Sequence, residues 1–201
     1  MTRGVKWGMV VVIGVLVGGF VATGVSLVPP SLLLGPCLRD WTSPVSYRPR
    51  ASPLATVDAR AGRTAVRLCY GQPSMRGRKV FGGLVPFDSL WRMGANEPTR
   101  FSTSGPVSVA GLVLPAGRYS LYAIPGVDHW EIFASRSTLH WGNDISAAVR
   151  AREVGHVTVP VEHLAAPVET LTISVDSSGA TPALQVDWET TRISLPLTGA
   201  P

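Results

Sequence analysis

An uncharged apolar run near the N-terminus constrains this chain more than any other feature. No Asp, Glu, Lys, Arg or His occurs from residue 7 to residue 38, and residues 8–28 are mostly Val, Leu, Ile, Gly and Ala. As a helix, residues 8–28 are about 31 Å long, close to the hydrocarbon thickness of a bilayer. The run therefore predicts a single transmembrane helix that binds the lipid bilayer through residues 8–28.

The charges beside this run predict its orientation. Arg3 and Lys6 precede it, and the positive-inside rule then keeps residues 1–7 in the cytoplasm and places the remaining chain outside. A cleaved signal peptide, cut near Ala22, is the alternative and gives a secreted or periplasmic protein. The run exceeds the usual 7–15 residues of a signal peptide, which favours the anchor. A lipidated Cys37 is disfavoured, because Pro36 precedes it.

Composition limits the class of the remaining chain. Apolar residues make up 45% and charged residues 15%, which excludes a disordered chain and a coiled coil. The formal net charge of +5 is unevenly placed, with an excess of basic residues in 39–81 and of acidic residues in 82–201. Residues 39–81 are interpreted as a solvated basic surface, with contact to anionic lipid head groups as the alternative. No pattern indicates a nucleic-acid partner.

Two further segments follow the apolar run. Residues 29–53 carry six prolines without apolar periodicity and predict a semi-extended linker. Residues 54–201 show short alternating runs between Gly and Pro turns, which is typical of an all-β antiparallel β-sandwich or jelly-roll-like domain. We expect strands at 64–70, 99–103, 107–109, 112–114, 118–124, 130–134, 156–159, 168–175, 183–189 and 193–197. We expect one or two short helices, with candidates at 87–92, 148–152 and 161–165.

The chain has two cysteines, Cys37 and Cys69. A disulfide between them is conceivable if the domain is extracytoplasmic. We expect no such bond, because Cys37 borders the apolar run and Cys69 reads as a small buried apolar residue within an alternating segment.

Three stretches together resemble a known family. They are GRKVFGGLVP at residues 77–86, LWRMGANEPT at 90–99 and LPAGRYSLYAIP at 114–125, followed by Trp141-Gly142 and the segment VDWE at 186–189. Their order and spacing resemble the bacterial family known as domain of unknown function 2911, over residues of about 52–197. The resemblance implies an exported N-terminus and a β-rich extracytoplasmic domain. It implies no activity and no catalytic residue.

The stretch from Trp91 to Thr99 predicts a shaped loop that leads into a strand. Asn96 tolerates a left-handed turn, and Glu97 precedes a proline and is therefore extended. In the structural interpretation, Arg92, Asn96 and Glu97 form a buried polar staple in which Arg92 and Glu97 pair. In the functional interpretation they line a pocket. The candidate ligand-binding residues are Arg78, Trp91, Arg92, Asn96, Glu97, Thr99, His129 and Trp130.

Catalytic and cofactor signals are weak. An envelope hydrolase with Glu97 or His129 as general base is the alternative function. The histidines are scattered without ligand spacing and predict no metal site, and no glycine-rich phosphate loop indicates a cofactor. The aromatic residues Trp91, Trp130, Trp141 and Trp188, with Tyr119 and Tyr122, are expected to fill the core, with an exposed ligand platform as the alternative. The sequence thus favours a ligand-binding or structural module of the cell envelope, whose partner is a small molecule, glycan or envelope protein.

Overall fold

The computed structural model describes Leu34, Gly35, Cys37 and residues 50–201. Ten strands and one short helix follow in chain order. The strands are β1 (Leu54–Ala61), β2 (Thr64–Gly71), β3 (Thr99–Thr103), β4 (Val107–Val109), β5 (Leu112–Leu114), β6 (Gly117–Pro125), β7 (His129–Ser135), β8 (Glu153–Pro160), β9 (Glu162–Asp176) and β10 (Ala183–Gly199). The helix α1 (Ala147–Arg150) lies between β7 and β8.

These strands form two antiparallel sheets. One has six strands in the order β1-β2-β3-β6-β7-β8, and the other has four in the order β5-β4-β10-β9. Buried residues from both sheets, including Leu68, Phe101, Leu171 and Ile193, belong to one apolar core. The prediction of an all-β antiparallel domain is confirmed.

Alternation along β2 shows how the sequence selects the two faces of the larger sheet. Val66, Leu68 and Tyr70 belong to the core, since successive side chains of a strand point to opposite faces. Arg67 and Cys69 therefore lie on the other side, which we call the outer face. Part of this face is covered by a second apolar cluster, in which Tyr122 and Phe133 pack against Ile145 and Val149 from the segment around α1.

Three local predictions differ from the structure. Residues 161–165 are expected to form a helical turn, but β9 begins at Glu162, where it pairs with Arg192 of β10. Residues 87–92 form turns rather than a helix. The stretches at 183–189 and 193–197 belong to one strand, β10, whose register shifts around Glu189. A bulge inserts an extra residue without ending the strand, so the alternation breaks while the pairing continues.

The expectation that Cys37 and Cys69 remain unpaired is wrong. The two form a disulfide with Cα atoms 5.7 Å apart. Cys69 is nearly buried, as expected, but it lies on the outer face, where Cys37 covers it. The adjoining Gly35 carbonyl accepts a hydrogen bond of 2.6 Å from Arg67. Part of the segment interpreted as a linker is thus fastened to the sheet.

The expected transmembrane helix and its cytoplasmic flank, residues 1–28, lie outside the described residues. Within the described part of the chain, no helix has the length and apolar character needed to cross a membrane.

Candidate functional site

The loop from Trp91 to Thr99 connects the core to the start of β3. Trp91 exchanges two backbone hydrogen bonds of 2.8 Å with Ala123 of β6, and the Thr99 hydroxyl donates to the Met93 carbonyl at 2.9 Å. A Cβ at Gly94 would lie 3.0 Å from the Thr99 hydroxyl oxygen and 3.2 Å from the Gly71 carbonyl oxygen. The loop therefore closes on itself and on the end of β2, at a spacing that suits glycine.

Glu97 is the acidic residue of this loop, and it pairs with Arg50 instead of the expected Arg92. The Arg50 guanidinium donates to both carboxylate oxygens of Glu97, and the two side chains are 6% and 3% exposed. The pairing of Glu97 with Arg92 in the proposed staple is therefore wrong. Because Arg50 immediately precedes the domain, this bidentate contact joins the incoming chain to the loop.

Asn96 holds the turn as expected. Its φ of 65° lies in the left-handed region, which asparagine tolerates, and its side-chain amide donates to the Ser52 carbonyl at 3.2 Å. Asn96 and Glu97 thus both bind the segment that enters β1. Asn96 stays partly exposed, whereas Glu97 is 2% exposed.

Within the described ranges, Arg92 has no counter-charge. Its guanidinium is partly buried, Nε has no hydrogen-bond partner, and no carboxylate of the described residues pairs with it. Burial lowers the pKa of Arg92, because desolvation disfavours the charged form. Gly142 lies against it, since a Cβ there would be 3.8 Å from Nη1 of Arg92 and 3.7 Å from the Asn96 carbonyl oxygen.

Arg92 differs in this respect from four other arginines of the domain. Each of these four arginines binds a carboxylate through one or two hydrogen bonds: Arg50 binds Glu97, Arg67 binds Asp58, Arg150 binds Glu153 and Arg192 binds Asp187. A guanidinium removed from water favours such a partner, because its fork of donors fits a carboxylate or a phosphate. The site can therefore accept an anionic group beside Arg92.

Three of the four tryptophans expected in the core are found there. Trp91, Trp130 and Trp188 are at most 5% exposed and contact Phe81 and one another with ring centroids 5.0–6.1 Å apart. Trp91 and Trp130 therefore do not form an exposed platform for a ligand. Trp141, next to Gly142, is 37% exposed, so the expectation that it fills the core is wrong.

Glu189 is a structural residue that the sequence analysis missed. Its carboxylate accepts hydrogen bonds of 3.2 Å from the backbone amides of Val80 and Phe81, and it lies at the register shift of β10 with a φ of 54°. This contact joins two of the family-like stretches, 77–86 and 186–189. The sequence signal for this role is that Glu189 directly follows Trp188 in a core strand, where a carboxylate needs hydrogen-bond donors.

The remaining candidate residues, Arg78, His129 and Thr99, have different surroundings and show no shared role. Arg78 is exposed and donates to the carbonyls of Met75 and Ser74, which fixes a surface turn. His129 is exposed at the start of β7. Thr99 is fully buried. Among the residues that the structure describes, no group of three His, Cys, Asp or Glu could hold a metal ion.

Comparison with known families agrees with the stretches singled out above. Residues 52–197 match the family described as "Protein of unknown function (DUF2911)". No curated protein and no solved structure matches the chain.

Proposed function

Since this chain belongs to the DUF2911 family, whose description assigns no activity, we propose a function from its own residues: a membrane-anchored, extracytoplasmic binding module of the cell envelope. The ligand carries a carboxylate or phosphate, as in a small acidic molecule or an acidic glycan. Arg92 binds that group, and Asn96 and Gly142 border the site.

The disulfide supports the extracytoplasmic location. Disulfides persist in oxidising compartments and are rare in the cytosol, where thiols are kept reduced. Cys37 and Cys69 are bonded, and both lie beyond the apolar run of residues 8–28. The location is thus supported by redox chemistry as well as by hydropathy and the positive flank.

The buried Nε of Arg92, which has no hydrogen-bond partner among the residues that the structure describes, is the observation that carries the binding proposal. A buried guanidinium nitrogen without an acceptor costs free energy of desolvation that an incoming anion offsets. Gly142 approaches Arg92 and leaves no Cβ between that guanidinium and the loop carbonyl of Asn96. Glu97 fits the structural role better than the hydrolytic one, because Arg50 engages both of its oxygens.

Anion binding at Arg92 is testable by thermal unfolding of the full chain in nanodiscs. Inorganic phosphate and glucuronate serve as probes, each compared with chloride at constant ionic strength. A ligand present at ten times its Kd stabilises the folded state by about 1.4 kcal/mol. We expect at least one probe to raise the Tm of the wild type and to leave the Tm of Arg92→Gln unchanged.

Lys79→Gln is the matched control, because it removes one exposed positive charge from outside both the loop of Arg92 and the strands of the larger sheet. Its Tm should respond to the probe as the wild type does. In chloride alone, Arg92→Gln should unfold at the wild-type temperature or slightly above, since the substitution removes a charge that has no partner. A wild type unaffected by both probes, or an equal response in Arg92→Gln, would contradict anion binding at this residue.

A further inference from the structure

We propose that one end of the six-stranded sheet faces the bilayer and binds anionic phospholipid head groups through exposed arginines. This end, called the basic end below, is the one where β1 turns into β2. The inference rests on the membrane anchor of the proposed function and adds the orientation of the domain and the partner of this surface.

Strand direction brings four arginines to the basic end. Arg63 lies in the turn between β1 and β2, Arg118 near the start of β6, Arg136 just after β7 and Arg152 just before β8. The register places these positions together, because Ala61 pairs with Thr64, Thr103 with Gly117, and Ser135 with Glu153. All four arginines are exposed.

The turns of the larger sheet at this end carry little opposing charge. In the turns of the larger sheet at this end, residues 62–63, 104–106, 115–118, 136–139 and 150–153, Glu153 is the only acidic residue. Its carboxylate already accepts hydrogen bonds from the Tyr122 hydroxyl at 2.6 Å and from Arg150 at 2.9 Å. Clustered arginines with little opposing charge are attracted to an anionic leaflet, to which each basic residue near the surface contributes.

The path of the incoming chain points the same end toward the membrane. Gly35 contacts Arg67, Cys37 is bonded to Cys69, and Arg50 binds Glu97 just before β3. Along β2, Arg67 is nearer to the basic end than Cys69, and the start of β3 lies at the opposite end. From Cys37, bonded to Cys69, back to Gly35, which contacts Arg67, the described chain therefore lies progressively nearer to the basic end.

The remaining tether is short. Residue 28, the last of the proposed span, and Gly35 are separated by seven residues, which cover at most about 25 Å when fully extended. The disulfide thus holds the basic end near the head groups. Arg92 lies toward the opposite end of the sheet, so its site faces away from the bilayer.

Hydrogen exchange of the full chain in nanodiscs tests this orientation. One set of nanodiscs contains phosphatidylcholine alone, and the other contains phosphatidylglycerol at about one third of the lipid. We expect amides of residues 62–64 and 116–118 to exchange at least about threefold more slowly in the anionic nanodiscs, because the head groups cover these turns. Amides of residues 126–128, in the turn at the opposite end, should exchange equally in both.

A charge-reversal pair supplies the matched comparison. Arg63→Glu with Arg118→Glu should lose the protection, whereas Arg78→Glu with Lys79→Glu, which changes the net charge equally in the connection between β2 and β3, should keep it. Equal exchange in the two lipids, or protection that persists in the first double variant, overturns this inference and leaves the anchor standing. A full chain that stays outside the nanodiscs overturns the anchor and this orientation together.

Discussion

Replacing Glu97 with alanine is expected to lower the free energy of unfolding by about 3–5 kcal/mol, because it leaves Arg50 buried without its counter-charge. The Arg50 side chain is only 6% exposed, so water reaches it poorly once the carboxylate is gone. The same substitution releases Arg50 from the loop before β3, while the contact of Asn96 with Ser52 remains. Chemical denaturation of the full chain in detergent measures the loss.

The double variant Arg50→Met with Glu97→Leu distinguishes the ion pair from simple packing. It removes both charges and keeps apolar volume, so its free energy of unfolding should return to within about 1 kcal/mol of the wild-type value. Asp128→Ala, which removes an exposed carboxylate at the same end of the sheet, should change stability little. If Glu97→Ala costs less than about 1 kcal/mol, Glu97 does not hold the loop and becomes available for ligand chemistry.

Loss of the disulfide is the second large expected effect. The bond joins cysteines 32 positions apart, and a loop of that length restricts the unfolded chain by about 3–4 kcal/mol in the chain-entropy account. For a domain of this size, that loss corresponds to a Tm lower by roughly 6–16 °C. Thermal unfolding of Cys37→Ser with Cys69→Ser, compared with the wild type, measures it.

Reduction offers the matched control for that experiment. A reductant should lower the Tm of the wild type toward that of the double serine variant and leave the variant itself unchanged. A wild-type Tm that is the same with and without reductant, with the thiols shown to be free after reduction, would mean that the bond does not stabilise the domain.

The local pattern of apolar and polar residues was sufficient to predict many of the strands. Alternation at β2 and the paired glycine and proline turns around β4, β5 and β6 were sufficient to predict strands that the structure contains. These signals are local because one buried face imposes a period of two on the side chains. Alternation also correctly separated Val66 and Leu68 from Arg67 and Cys69.

Contacts between distant parts of the chain escaped the sequence analysis. Arg50 and Glu97 are 47 positions apart, and nothing local distinguishes Arg50 from Arg92 as the partner. Cys69 is both nearly buried and bonded, so its apolar surroundings did not exclude a disulfide. Glu162 begins a strand because β10 extends far enough to pair with it, which is a tertiary reason.

The sequence predicted where the loop lies along the chain, but not which of its residues are buried or what they bind. The loop from Trp91 to Thr99 was identified from its residues, and its turn at Asn96 is present. Burial then divides its members: Trp91, Glu97 and Thr99 stabilise the loop, while Arg92 and Asn96 remain partly exposed. Solvent access depends on what the rest of the chain places over the loop, and periodicity carries no information about that.

The central claim, an anchored domain outside the cytoplasmic membrane, is tested most directly by thiol labelling of intact spheroplasts. Val127→Cys places a thiol on an exposed turn, and Thr2→Cys places one ahead of the apolar run. A membrane-impermeant maleimide should label Val127→Cys before lysis and Thr2→Cys only after lysis, with both chains retained in washed membranes. Labelling of Val127→Cys only after lysis, or its release from the membranes, would contradict the account.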